Sequence, residues 1–228
     1  MKTGLPGGTK PLVHIQMVHD LVCSWCPIGY TNLSDAIADV EGQVDVTIDF
    51  LPFQLNSEMG YEGEEIEAHL MRRTGQSKEQ LATYRRNLIA TGKKAGFEFD
   101  FSKRTHYYNS LKGHLLLNAA HGIGKQREVL GALHRAYHQE GGNLADDGVI
   151  MKAGVAAGLD PAFIDEALTS TGNRREVKAK ETKARSLGVR SVPTFFVNGN
   201  HTLPGSNNVG VFRDVLLATA RGQKAAAG

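Results

Sequence analysis

The chain has 228 residues, 41% hydrophobic and 22% charged, with a net charge of +2 and two cysteines, Cys23 and Cys26. Two cysteines exclude a disulfide scaffold, and 26 glycines and 7 prolines without period exclude a collagenous or low-complexity chain. The balanced charge, with no run of one sign, argues against a nucleic-acid partner, and no segment approaches 18 apolar residues, so no membrane span is expected.

The first ten residues are polar and lack an apolar leader core, which makes the cytoplasm the expected location. There the thiol pool is reducing, and a close cysteine pair is redox-active or metal-binding more often than structural. Val13, Ile15 and Met17 alternate with His14 and Gln16 as in a half-buried strand. Leu33, Ile37 and Val40 recur at helical spacing within Tyr30 to Val40, and Val44 to Phe50 alternates strictly. The opening therefore reads strand, helix, strand, a βαβ unit with parallel strands.

The 142 residues from 51 to 192 read almost wholly helical. Ser77-Lys78-Glu79-Gln80 fits a capping box leading into Leu81, Tyr84 and Leu88. Further helices are predicted around Leu111 to His121, around Val129, Leu133 and Tyr137, around Val149 to Val155, after the Asp160-Pro161 cap, and from about Arg174 to Leu187, ending at Gly188. Pro193 to Val197 then runs into Asn198-Gly199, the signature of a two-residue hairpin turn, and on to Asn200 to Leu203. A last helix is capped by Asn207 or Asn208, with a frayed tail from Lys224 to Gly228. The domain reading is a split α/β core, 11–57 and 171–221, interrupted by a helical insertion over 58–170.

Cys23-Ser24-Trp25-Cys26 is the sharpest chemical feature, placed where the first strand hands over to the helix. Two intervening residues bring both sulfurs onto one turn, and the first lies nearest the helix N-terminus, where free N–H groups favour a thiolate. A thiol with pKa about 8.5 is only roughly 3% ionised at pH 7, and lowering it to about 7 makes that half. Cys23 is thus the expected nucleophile and Cys26 the resolving thiol, the division that disulfide exchange requires. A structural disulfide across so short a loop would add only about 2 kcal/mol. A zinc site would need two more ligands, for which His134 and His138 are the candidates, although histidines at this spacing are more often surface or interface residues. Val192-Pro193 reads in isolation as a strand-start proline.

In combination, Asp20 to Gly29, Asn109-Ser110, Ala136 to Gly141 and Gly188 to Phe195 resemble the DsbA-like branch of the thioredoxin superfamily, most closely the FrnE-like oxidoreductases, near the 2-hydroxychromene-2-carboxylate isomerases and kappa-class glutathione transferases. The resemblance spans about Pro11 to Arg221 and implies a thioredoxin-like α/β fold with a large helical insertion. It gives Cys23 and Cys26 the redox roles and Val192-Pro193 a cis-proline loop that faces them and binds substrate backbone. It also implies an active-site position for Asn109, with helix capping the alternative, while Trp25, the only tryptophan, is expected to contact substrate from its place between the cysteines, with packing on the site rim the alternative. Ser24 and Pro27 depart from the relatives, which commonly carry proline after the first cysteine and an aromatic residue after the second. In the isomerase and transferase relatives serine typically holds the first cysteine position and activates glutathione, so Cys23 favours dithiol chemistry.

The expected function is exchange of disulfides with protein or small-molecule thiols, with no tightly bound cofactor. No third cysteine exists for an internal relay, so an external reductant or oxidant must regenerate the pair. Glutathione as co-substrate and self-association into a homodimer stay open, as do a glutathione-dependent isomerase or transferase for small aromatic or polyketide-like substrates and a non-catalytic metal-binding or chaperone-like module. Asp20 is expected either to face the active site or, as a strand-end carboxylate more often does, to be solvated, and Tyr107-Tyr108 to belong to the core.

Overall fold

The computed structural model describes residues 10–227; the N-terminal residues 1–9 and Gly228, on which the leader and tail expectations partly fall, lie outside the described residues. Strand β1 (Leu12–His19) leads into α1 (Trp25–Val40) and β2 (Asp45–Pro52), and β1 and β2 are parallel, as the strand–helix–strand order predicts. After the long helical stretch come β5 (Thr194–Val197), β6 (His201–Pro204) and α9 (Val209–Ala227). The sheet order is β2-β1-β5-β6, with β5 antiparallel to both β1 and β6. Central position explains β1: Val13, Ile15 and Met17 face one side, and Val18 and His19 are buried as well. Edge strand β2 keeps the half-buried alternation of its sequence and ends on Pro52, where a missing N–H breaks no ladder.

Between β2 and β5 lie α2 (Ile66–Thr74), α3 (Lys78–Lys94), α4 (Leu111–His121), α5 (Gln126–His138), α6 (Asp147–Ala156), α7 (Pro161–Thr169) and α8 (Thr171–Ser186), with a small antiparallel pair of β3 (Glu64–Glu65) and β4 (His106–Tyr107). The capping box at Ser77 and Gln80 is formed with both of its hydrogen bonds, and Asp160 caps α7 with Pro161 at its start. α1 packs on α9, while α4 and α8 lie against β2. Among the described residues no helix is long and apolar enough to cross a membrane.

The structure corrects several boundaries. α1 begins at Trp25, not Tyr30, because the turn made by the Cys23 and Cys26 N–H groups on the Asp20 and Cys23 carbonyls runs straight into the helix. α8 begins at Thr171, where the Ser170 hydroxyl accepts from the Asn173 N–H. The hairpin has three turn residues, with Val197 opposite His201. Asn198 is tied to β1, its N–H donating to the His14 carbonyl and its side chain accepting from the His14 N–H, both at 2.8 Å, which leaves Asn200 to close the loop. α9 continues through Lys224 to Ala227, where a frayed tail is expected; its cap is Asn208, which accepts from the Val211 N–H. α2 and the β3–β4 pair have no counterpart in the sequence reading.

Candidate active site

The register fixes the site's place. His19 lies opposite Pro52 and Val18 opposite Thr194, so the C-terminal ends of β1 and β2 and the start of β5 share one end of the sheet. The cysteine motif leaves β1 there, and the loop before β5 returns there. The Val192–Pro193 bond is cis, and the Cys23 thiol donates to the Val192 carbonyl at 3.4 Å across 169 residues of sequence. Gly29 permits the approach: a Cβ there would stand 3.0 Å from the Pro193 ring and 3.3 Å from Phe195.

Both cysteines are free thiols, Cys23 8% exposed and Cys26 fully buried. Their environments drive them apart. Hydrogen bonding from the Cys26 thiol lowers the Cys23 pKa, and the Trp25 and Cys26 backbone N–H groups add to it, against burial and the negative charge of Asp20. Burial pushes Cys26 far above the ordinary thiol range, and the charge on Cys23 pushes it further. The Val192 carbonyl favours the protonated Cys23, so its contact describes the resting thiol; ionisation exchanges that acceptor for N–H and S–H donors. No acidic residue occupies the first turn of α1, so nothing neutralises the positive helix end facing the sulfur.

Ser24, at the N-cap, makes no side-chain cap. Its hydroxyl accepts from Arg104 Nη1 at 2.8 Å, while Arg104 Nη2 donates to the Val22 carbonyl at 3.1 Å. Trp25 is half-buried on the rim, its indole N–H donating to the Tyr84 hydroxyl of α3 at 2.9 Å. Pro27 falls in the first helical turn, where an N–H has no helical partner to lose. Asn109 acts locally: its side chain accepts from the Leu111 N–H at the start of α4 and donates to the Ser57 carbonyl. Tyr107 and Tyr108 are half-buried and pack against the core.

Asp20, expected to face the active site or solvent, is wholly buried. Its carboxylate accepts from the Val22 and Leu55 N–H groups at 3.3 and 2.7 Å and lies 3.5 Å from the His114 imidazole. It therefore pins the β1 exit to the segment after β2, which a solvated carboxylate could not do. His134 and His138, expected at the surface or an interface, are 2% and 0% exposed, because α5 turns that face into the core against Phe97 and Phe99. Among the described residues no group of three or more His, Cys, Asp or Glu side chains is arranged to hold a metal. Arg104 escapes sequence reasoning altogether, since Phe101-Ser102-Lys103-Arg104-Thr105 looks like a solvated loop.

Beside the site, at the same sheet end, opens a cleft of about 670 Å³ bordered by Phe53, Gln54, Leu55 and the exposed face of α8. Arg185 lies over the Phe53 ring and pairs with Glu181, which also receives the Gln54 backbone and side-chain N–H groups. Arg174, Lys178 and Arg190 also line it, and none has a carboxylate within ion-pair distance among the described residues.

Known proteins share this architecture. Residues 14–217 match the DSBA-like thioredoxin domain. An uncharacterised Bacillus subtilis (strain 168) protein, YwbO, is 26% identical over 208 residues, covering 90% of this chain and 96% of that one. The crystal structure of a probable DsbA oxidoreductase from Streptomyces coelicolor is similar at 25% identity with a TM-score of 0.83, covering 92% of this chain and 90% of the other. At the level of fold, a 2-hydroxychromene-2-carboxylate isomerase (16% identity, TM-score 0.72, 94% and 99% covered) and the cytosolic disulfide reductase DsbM of Pseudomonas aeruginosa with GSH (18%, 0.62, 91% and 99%) are also similar. With a match over most of its length and a cysteine pair set at the end of β1, the chain belongs to the DsbA-like thioredoxin family.

Proposed function

We propose that the protein is a thiol–disulfide oxidoreductase in which Cys23 attacks and Cys26 resolves. The observation that carries this reading is the split between two adjacent sulfurs, one lowered at a helix N-terminus and the other buried and raised. The Cys23 thiolate attacks a substrate disulfide, forming a mixed disulfide and releasing one substrate thiolate. Cys26 gives up its proton and attacks the Cys23 sulfur, releasing the second substrate thiol and leaving Cys23–Cys26 oxidised by two electrons. An external dithiol, or two glutathione molecules, returns the pair to the reduced state, and the reverse sequence oxidises a substrate dithiol. Val192 and Pro193 border the sulfur on the side where a substrate chain would lie, with Trp25 on the rim. A cytoplasmic setting accords with the cytosolic reductase that shares the fold.

Redox titration tests the reading. In glutathione or dithiothreitol buffers the wild-type protein should pass through one two-electron transition, losing two hydrogens by mass and both thiols to alkylation at once. A midpoint near −120 mV would mark an oxidant and one near −270 mV a reductant. A pair that stays reduced throughout would end the proposal.

The cleft adds a substrate class. Among the described residues Arg73, Arg174, Lys178 and Arg190 line the cleft with no carboxylate within ion-pair distance, which suits a carboxylate-bearing partner such as glutathione disulfide or an acidic peptide. In the triple variant Arg174→Gln, Lys178→Gln, Arg190→Gln the KM for glutathione disulfide should rise about tenfold, as the loss of three exposed charge contacts implies. Rates with uncharged hydroxyethyl disulfide should hold. An unchanged KM for glutathione disulfide would separate the cleft from catalysis, and an equal loss on both substrates would rule out charge recognition. The glutathione-dependent isomerase reading is supported by fold likeness alone; it requires turnover that survives loss of Cys26.

A further inference from the structure

Arg104 is 2% exposed, yet among the described residues no carboxylate lies within ion-pair distance of it. A buried guanidinium without an acid is costly to keep, since burial removes its hydration and an anion normally compensates. Here the compensation is incomplete. Its two terminal nitrogens donate to the Ser24 hydroxyl and the Val22 carbonyl, while Nε–H has no partner. The rings of Tyr137, Phe101 and Tyr107 lie 4.8, 5.2 and 5.6 Å from its guanidinium carbon, which supplies quadrupole attraction but no net negative charge.

The two hydrogen-bonded groups belong to the residues directly before and after Cys23. One planar fork therefore spans the nucleophile, in the geometry that lysine cannot reproduce. Arg104 is itself held firmly. Its N–H donates to the Asp100 carbonyl at 2.9 Å, and the Asp100 N–H donates to the His138 carbonyl at the end of α5. Gly141, at φ +73°, lets the chain after α5 pass against the Lys103 carbonyl, where any Cβ would collide.

We propose that Arg104 is a positioning residue that holds the Cys23 backbone from both sides and supplies the buried counter-charge for the Cys23 thiolate. The missing anion of the Arg104 site is then the catalytic sulfur in its ionised form, which offsets a guanidinium that no carboxylate approaches within ion-pair distance among the described residues. The other charged or titratable groups that act on Cys23 are Cys26, Asp20, Tyr84 and Tyr107. Asp20 opposes the thiolate, and burial keeps Tyr84 and Tyr107 protonated, which leaves Arg104 the cation of the site. Burial works against the Arg104 cation, and Tyr137, Tyr107 and, last, Cys23 favour it. This inference rests on Cys23 being the nucleophile, and on nothing about substrate or direction of electron flow.

The test is the pH dependence of Cys23 alkylation by iodoacetamide, which needs no turnover. In Arg104→Met the rate at pH 7 should fall about tenfold, with the midpoint moved up by about one pH unit, and Arg104→Lys should recover part of the loss. Profiles superimposable on the wild type, with circular dichroism showing the Met variant folded, would overturn the proposal. Because the Met variant may not fold, the wild-type protein supplies a second measurement: the Arg104 Nε–H resonance should shift with the midpoint of Cys23 ionisation, and that response should vanish in Cys23→Ser. A resonance that ignores Cys23 ionisation would overturn it equally. Redox titration of the wild type separates this outcome from failure of the oxidoreductase reading.

Discussion

Cys26→Ala should accumulate a mixed disulfide on Cys23 and lose at least about a hundredfold in turnover, while Cys23→Ser should lose at least about a thousandfold and form no adduct. The asymmetry follows from burial. Cys23 keeps an edge in contact with solvent and has a lowered pKa, so it meets an incoming disulfide whether or not Cys26 is present. Cys26 is wholly buried and raised well above the usual thiol range, so it rests as the thiol, and no substrate reaches it. Its attack is fast only when the electrophile is the neighbouring sulfur, where proximity replaces concentration. Cys26→Ala also removes the thiol that hydrogen-bonds to Cys23, so the Cys23 pKa should rise and the first step should slow moderately. Mass spectrometry after mixing with glutathione disulfide reads the result directly. One glutathione on Cys26→Ala and none on Cys23→Ser is expected; an adduct on Cys26 in the serine variant would reverse the assignment.

Acid should unfold the protein well above the carboxylate range. His19 and His138 are held well below the ordinary imidazole pKa and His134 is lowered to about 3, in each case chiefly by burial, with neighbouring positive charge adding to it. Because the folded-state values lie below the unfolded one, all three are neutral in both states above about pH 6.5, where their protonation takes nothing from stability. As pH falls below that, the unfolded chain binds protons that the fold refuses, and stability drops until the folded values are reached. At pH 5 the loss is about 2 kcal/mol per histidine, about 6 kcal/mol together, against a total stability of roughly 5–15 kcal/mol. Thermal melts should fall by about 15 °C between pH 7 and pH 5. His138 is wholly buried and its lowered pKa is set chiefly by that burial, so His138→Leu should shift the acid transition to lower pH. A melting temperature flat from pH 7 to pH 5 would mean that the core accepts these protons.

What the sequence disclosed follows from the range over which each signal acts. The Ser77 capping box and the Asp160-Pro161 start are local signals that local hydrogen bonds realise, while the βαβ opening and the Asn198-Gly199 reversal are read from local pattern and then fixed by pairing with β1. The cysteine motif was legible for the same reason. Asp20, His134, His138 and Arg104 were not, because polarity in a sequence carries no information about partners far along the chain. The Asp20 partners Leu55 and His114 come from other elements, and the Arg104 partners lie 80 and 82 residues away. The α2 helix hides for a different cause: it buries only Ile66 and His69, too little apolar surface to set a period.

The 169 residues that separate Cys23 from the Val192 carbonyl also impose an order in time. At ribosomal speeds of about 5–20 residues per second, the cysteine motif emerges roughly 10–30 seconds before the loop that completes its surroundings. During that interval β1 lacks its β5 neighbour, and the two thiols have neither the Val192 carbonyl nor the packing that ranks them. A nascent chain therefore carries the dithiol before its surroundings exist, and the burial that ranks the two sulfurs most sharply arrives only once the chain beyond Pro193 has been made.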